Sequence, residues 1–232
     1  MDEAIRKAQG KLVVIEAPDG SGKKTQAEML WQRLSGEGVL VKKVEFPDYQ
    51  SPSSSLVKMY LRGEFGENPQ RVNPYAASAF YAVDRYASFQ KEWRGFYGRG
   101  GLIIADRYTT SNLIHQAVKL KSEAAKEEYA NWLCDFEFNR LALPVPDLVF
   151  FLDMPPDYSE KLMKTRKNKF TGGGKKDIHE INQDYLRKSY INACWLAQKY
   201  HWHRINCVQN GQIKGIPEIH EQLYTDLKEL LF

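Results

Sequence analysis

Ala17-Pro18-Asp19-Gly20-Ser21-Gly22-Lys23-Lys24-Thr25 follows the apolar run Leu12-Val13-Val14-Ile15 and leads into Gln26-Ala27-Glu28-Met29-Leu30. A glycine-rich turn alone would join any strand to any helix. A Gly-x-Gly-Lys stretch in this context reads as a phosphate-binding loop. Its backbone N–H groups point inward and the helix adds the positive end of its dipole, so phosphates are held with few charged side chains. Gly20 and Gly22 let the backbone approach closely, and Lys23 reaches the outer phosphates. Asp19, Gly20, Ser21, Gly22, Lys23, Lys24 and Thr25 are therefore the candidate nucleotide-binding residues. Two positions depart from the pattern. Ala17 stands for its first glycine, a mild change because alanine is also small. Lys24 stands where Ser or Thr normally offers a hydroxyl to Mg²⁺. Thr25 does not take over, because one residue along a helix is a rotation of about 100°; its amide and hydroxyl suit the α-phosphate instead.

The alternation of apolar runs and helical patterns continues through the chain. Strands are expected at 12–16, 39–45, 101–105, 147–152 and 203–206. Helices are expected at about 23–36, 53–61, 73–97, 110–119, 124–140, 157–166, 178–200 and 217–230. This order predicts a three-layer α/β/α sandwich around a parallel five-stranded sheet, the P-loop NTPase fold. With 232 residues, one domain spanning 1–232 is expected. No apolar run approaches the roughly 20 residues that span a bilayer, and Met1-Asp2-Glu3-Ala4 does not open a secretion signal. A cytoplasmic location is expected. Cys134, Cys194 and Cys207 are odd in number and lack metal-ligand spacing, so they read as buried small residues. The net charge of +4 argues for neither a nucleic-acid nor a membrane partner, but it suits an anionic small substrate.

Ligands of such sheets bind beyond the carboxyl ends of the strands. The phosphate loop, Phe46-Pro47-Asp48-Tyr49 and Asp106-Arg107-Tyr108 all follow strands, so they are expected in one crevice. Asp106-Arg107 standing alone has a lesser alternative reading, an ion pair capping a strand. Beside a phosphate loop, Arg107 is a planar fork for a second phosphate, and Asp106 is the candidate metal contact. Two phosphate sites in one crevice imply a donor and an acceptor. The run 166–177 combines cations with Gly172-Gly173-Gly174 and reads as a basic lid between two helices.

Taken in order, these motifs resemble those of thymidylate kinases, P-loop nucleoside monophosphate kinases. The resemblance is carried by Gly22-Lys23-Lys24-Thr25-Gln26, Phe46-Pro47-Asp48, Tyr81-Ala82-Val83-Asp84-Arg85, Asp106-Arg107-Tyr108-Thr109-Thr110-Ser111 with Gln116, Pro146-Asp147-Leu148-Val149-Phe150-Phe151-Leu152-Asp153 and Asp177-Ile178-His179-Glu180, and it covers about 10–230. It implies phosphoryl transfer from ATP, with Mg²⁺, to thymidine 5′-monophosphate (dTMP). By the same resemblance, Asp19 orients the acceptor and Arg107 holds its phosphate. Phe46 lines its site, Tyr81 stacks on the base, and Arg85 hydrogen-bonds it. Ser111 and Asn112 lie near the base's Watson–Crick edge, with Gln116 a turn further on. Without the resemblance, Tyr81 and Arg85 would read as a core aromatic and a surface cation.

The transition state of phosphoryl transfer spreads charge over the moving group's oxygens, so cations must reach the space between donor and acceptor. The family supplies them from an Arg in the phosphate loop or from the lid. Pro18, Asp19 and Ser21 are not cationic, so the work falls to the lid. Arg166 and Lys169 are the catalytic candidates beside Lys23, Asp19 and Arg107; Lys175 and Lys176 come second. Tyr49 stands where some members place a second acceptor Arg, for which Arg62 is a substitute. His115 replaces an aromatic residue that often screens the acceptor's sugar. Asp153, before Met154-Pro155-Pro156, lies near the nucleotide or caps the next helix, and the structural role is favoured. Trp132, Phe136 and Phe138 read as packing or as a subunit interface. The resemblance makes a homodimer the expectation.

Three accounts of Lys24 compete: it points away while Asp106 and the phosphates hold the metal, its ammonium replaces part of the metal's charge, or the enzyme is degenerate. The first is favoured, because the acceptor motifs are largely intact. The rival functions are a kinase for another nucleoside monophosphate or a deoxynucleoside, and a nucleotide-binding regulator without turnover. Asp106-Arg107-Tyr108 argues against deoxynucleoside kinases, where Glu-Arg-Ser is common.

Overall fold

A computed structural model describes residues 10–164 and 183–231. The lid at 166–177, with Arg166, Lys169, Lys175 and Lys176, lies outside the described residues, as does the stretch through Glu180.

Strands β1 (Lys11–Glu16), β2 (Val41–Glu45), β3 (Leu102–Asp106), β4 (Leu148–Asp153) and β5 (His203–Asn206) form one sheet in the order β2-β3-β1-β4-β5, with every neighbouring pair parallel. The expected five-stranded parallel sheet is present. Strands buried on both faces carry continuous apolar runs rather than alternating ones. Leu12, Val14, Ile103, Ala105, Val149 and Phe151 enter one core, while Val13, Ile15, Leu102, Ile104, Phe150, Leu152 and Ile205 enter the other.

The second core is closed by α1 (Lys23–Gly36) and by the C-terminal helix Ile216–Leu231, through Ala27, Leu30, Leu34, Ile219, Leu223 and Leu227. After α2 (Ser55–Leu61), the first core is covered by α3 (Pro74–Ser88), α4 (Arg94–Gly98), α5 (Thr109–Gln116) and α6 (Glu123–Cys134), followed after α7 (Pro156–Lys164) by α8 (Gln183–Lys199). The terminal helix is α9. Helix α3 begins where Asn73 accepts a 2.8 Å bond from the Ala76 amide and Pro74 fills the first turn, which needs no N–H there. Its neighbour α2 shares a small satellite core with it, built on Val57, Tyr60, Leu61 and Ala77.

Several expected boundaries move. The helix expected at 73–97 is interrupted by a π-helical turn over Phe89–Trp93, which seats Phe89 and Trp93 in the core with ring centroids 4.6 Å apart. A second π-helical turn, Asp135–Arg140, ends the segment expected at 124–140 and turns Glu137 fully inward. Strands β3 and β4 each sit one residue later than expected, and β2 starts at Val41 after Gly38 in the left-handed region. Periodicity missed the hairpin of β6 (Val208–Gln209) and β7 (Gln212–Ile213), turned by Asn210 and Gly211 at φ 51° and 74°. An Asn-Gly pair is the local signature of that turn.

Cys207 is buried, as expected; Cys134 and Cys194 are only half-buried. Trp132 packs on Tyr75 at 4.7 Å and stacks on Phe136 at 5.3 Å, and Phe138 lies against the same core. Among the described residues no helix is long and apolar enough to cross a membrane.

Candidate active site

The winding β1, β2, β3 proceeds to one side of the sheet and then crosses to β4 and β5 on the other. Register places Ile15 beside Asp106 and Asp106 beside Glu45, so the loops after β1, β2 and β3 leave the sheet at one level. That convergence was expected from sequence. Gly20 and Gly22 hold φ of 80° and 85°, values that glycine adopts without strain. Gly22, at the N-cap of α1, has no side chain with which to cap its first turn. The helix therefore presents its N-terminal dipole end toward the loop. Gly20 also has no room for a side chain: a Cβ there would lie 2.4 Å from Met163 Cγ and 3.0 Å from the Ser159 carbonyl, on α7.

Lys23 folds over the loop and donates to the carbonyls of Ala17 and Pro18 at 3.0 and 3.1 Å, while the Ser21 hydroxyl donates to Pro18 at 2.8 Å. Burial, then the nearby Arg107 charge, lowers the Lys23 ammonium to about 8. Asp106 is buried at the end of β3.

Arg107 has φ 70°, in the left-handed region that a residue with a Cβ seldom adopts. Its Nη2 pairs with Asp19 of the phosphate loop, and its Nη1 donates to Ser111 Oγ at 3.1 Å and lies 3.3 Å from His115 Nε2. Burial works against the guanidinium charge, but Asp19, Glu16 and Asp106 outweigh it and raise Arg107 above its usual range. Glu16 is fully buried behind it, 3.7 Å from Nη1. Its carboxylate accepts from the Tyr108 amide at 3.3 Å, from Thr110 Oγ1 at 2.6 Å and from Ser111 Oγ at 2.8 and 2.9 Å. Burial pushes this carboxyl above the usual carboxylate range, opposed by Arg107 and the two hydroxyls. Sequence reading passed over Glu16; its signal is a lone acid closing an apolar strand.

A cleft opens in front of this cluster. Asp19, Phe46, Tyr81, Arg85, Arg107, Ser111, Asn112 and Gln116, the whole expected acceptor set, line it, together with Tyr49 and His115. Tyr81 meets Tyr60 edge-on at 6.5 Å. Ser111 commits its hydroxyl to Glu16 and Arg107, and Asn112 donates to the Ser78 carbonyl at 3.3 Å. The buried Gln116 Oε1 has no hydrogen-bond partner among the described residues. Arg85 is 1% exposed and grips Glu137 through Nε and Nη2 at 2.7 and 2.5 Å. Glu137 is a second acid that sequence reading missed, because a π-helical turn carries it inward. Asp84, buried, accepts from the Asp48 amide at 2.8 Å and from Ser53 Oγ at 2.6 Å, tying the β2 loop to α3.

The sequence profile described as thymidylate kinase matches residues 15–214, a span that includes every loop of this site. The chain belongs to the thymidylate kinase family. It is 32% identical over 191 residues to a thymidylate kinase of Mycobacterium tuberculosis, covering 81% of this chain and 86% of that one. A thymidylate kinase of Prochlorococcus marinus is 29% identical over 206 residues, covering 87% and 90%. The solved thymidylate kinase of Candida albicans superposes with a TM-score of 0.66 at 24% identity, covering 95% and 92%, and shares the fold.

Within this thymidylate kinase fold, the unusual Lys24 turns away from the loop. Its Nζ lies 2.8 Å from Glu45 Oε2, both side chains are partly exposed, and this bond raises the ammonium further. Arg62 is directed toward Glu64 at 3.8 Å and does not line the cleft. Asp153 accepts from Tyr190 at 2.8 Å and from Arg204 at 2.9 and 2.6 Å, tying the end of β4 to α8 and β5.

Proposed function

We propose that the chain transfers the γ-phosphoryl group of ATP to the 5′-phosphate of thymidine monophosphate, giving thymidine diphosphate and ADP. The observation that carries this reading is the pairing of Asp19, on the nucleotide loop, with Arg107, on the loop after β3, at the mouth of one cleft. A donor phosphate on the loop and an acceptor phosphate on Arg107 then lie side by side. An acceptor phosphate oxygen forms the new bond to the γ-phosphorus, the bond to the β,γ-bridging oxygen breaks, and its electrons stay on ADP. Proximity and electrostatic stabilisation account for most of the catalysis in such a transfer.

In this reading Lys23 leaves its two carbonyls for the β- and γ-phosphates, and the free amides at the start of α1 cradle the chain of phosphates. Ser21, Gly22 and Thr25 complete that cradle, with Lys24 contributing only its backbone. Asp19 orients the acceptor between its sugar and phosphate. Tyr81 and Phe46 enclose the base, and Arg85, Asn112 and Gln116 address its polar edge. A buried acceptor such as Gln116 Oε1 costs free energy until a donor meets it, and the imide N–H of thymine is such a donor. Mg²⁺ fits this donor set: it binds through one or two carboxylates plus substrate phosphates, and Asp106 offers one carboxylate beside the loop. When bound it neutralises phosphate charge. Arg166 and Lys169 of the lid supply the remaining cations. One domain over 1–232, a cytoplasmic location and a homodimer belong to the same proposal.

Purified protein mixed with ATP, Mg²⁺ and each nucleoside monophosphate in turn tests the reading. Diphosphate formed chiefly from dTMP is expected. Turnover of a different acceptor would move the assignment to another monophosphate kinase, and no diphosphate from any acceptor would favour a regulator that binds without turnover.

A further inference from the structure

We propose that Glu16 is a positioning residue for Arg107, setting the guanidinium that receives the acceptor phosphate; this rests on the kinase reading above. Glu16 ends β1 with no exposed surface. A carboxylate sealed from water is costly without partners, and an apolar side chain would fill the same volume without that cost. Its partners come from one turn. The Tyr108 amide and the hydroxyls of Thr110 and Ser111 all converge on it, and these are the residues that immediately follow Arg107. Glu16 thereby ties down the turn in which Arg107 is held at φ 70°. Such left-handed backbone persists only where its surroundings over-determine it.

The charge acts directly as well. Two carboxylates share one guanidinium, Asp19 at Nη2 and Glu16 at 3.7 Å from Nη1. Asp19 lies on the nucleotide loop and Glu16 behind in the core. With both present, Arg107 is not committed to Asp19 alone, and its fork stays directed at the cleft. Without the Glu16 charge, Asp19 becomes the stronger counter-charge, and an arriving phosphate must first break that pair.

The test is steady-state kinetics on Glu16→Gln, which keeps the shape and removes the charge. The specificity constant for dTMP is expected to fall about 10- to 100-fold, the range for hydrogen bonds to a charged group, which become neutral ones in this variant. The fall should lie mainly in KM for dTMP, while KM for ATP stays within about twofold; a general loss of structure would move both. Thr110→Val removes one donor from Glu16 without touching Arg107 and should show a smaller loss with the same selectivity. An active wild type whose E16Q variant keeps its dTMP constants overturns this assignment alone, whereas a wild type that forms no thymidine diphosphate overturns the reading beneath it. If E16Q fails to fold, T110V decides, and unchanged dTMP constants there refute the proposal.

Discussion

Removing Glu137 should destabilise the protein far more than its distance from any phosphate suggests. The Arg85 and Glu137 side chains are 1% and 0% exposed, and two of the guanidinium's bonds go to Glu137 at 2.7 and 2.5 Å. Burial pulls the guanidinium's proton affinity down; the Glu137 charge and hydrogen bonds outweigh it and hold Arg85 above its ordinary range. In Glu137→Ala the carbonyl of Tyr108, at 3.4 Å, remains, and the Thr109 hydroxyl loses the acceptor it now meets at 2.6 Å. Leaving one member of a buried ion pair without its partner costs about 3–5 kcal/mol. In a chain of this size each kcal/mol moves the melting midpoint by about 2–4 °C, so Tm should fall by about 6–20 °C. Urea unfolding should show a lower midpoint at unchanged slope. The double variant R85M/E137L removes both charges and should recover most of the loss, since apolar replacement of a buried pair is often neutral or stabilising by about 1–4 kcal/mol. It should nevertheless bind dTMP poorly, because Arg85 lines the cleft. An E137A variant melting within about 2 °C of wild type would refute the reasoning, since that corresponds to less than about 1 kcal/mol.

Two shorter predictions follow from the loop. Lys24→Ser breaks an exposed pair with Glu45, a change worth no more than about 1 kcal/mol; turnover across a Mg²⁺ titration should stay near wild type, and an inactive variant would show that Lys24 acts on the phosphates or the metal. Lys23 titrates at about 8 in the ligand-free protein against 10.5 for an ordinary lysine. Phosphates favour its charged form, so ATP affinity measured by calorimetry should decline as pH rises through 8, with uptake of a proton on binding there, and Lys23→Met should abolish that uptake. The same depressed value makes the unfolded chain bind the extra proton between pH 8 and 10.5, so this group's contribution to stability rises with pH across that window. A pH-independent proton uptake would contradict the buried Lys23.

The parallel sheet and its loop were legible because their signals are local. Leu12-Val13-Val14-Ile15 must be covered on both faces, and Gly20-Ser21-Gly22-Lys23 has few uses between a strand and a helix. Asp106-Arg107 was legible as well, since its strand is equally apolar. The π-helical turns were not. They bury Trp93 and Glu137, and Glu137 meets its partner Arg85 only across 52 residues of chain. The β6–β7 hairpin lay in reach of local reading through Asn210-Gly211, but its two-residue strands carry no period.

The amino-acid order alone determined, to within a residue or two, where the strands run and hence which loops reach the crevice, because strand and turn preferences act over a few residues. It put Asp19 and Arg107 on loops that meet in one crevice, and the family resemblance added Tyr81 and Gln116 to that site. Only the tertiary structure decided how the charges are partnered. Lys24 faces Glu45, Arg85 is locked by Glu137, and Glu16 stands behind Arg107, each across 21, 52 and 91 residues of chain. Burial and the choice of counter-ion depend on what the folded chain brings alongside, and no local pattern records that.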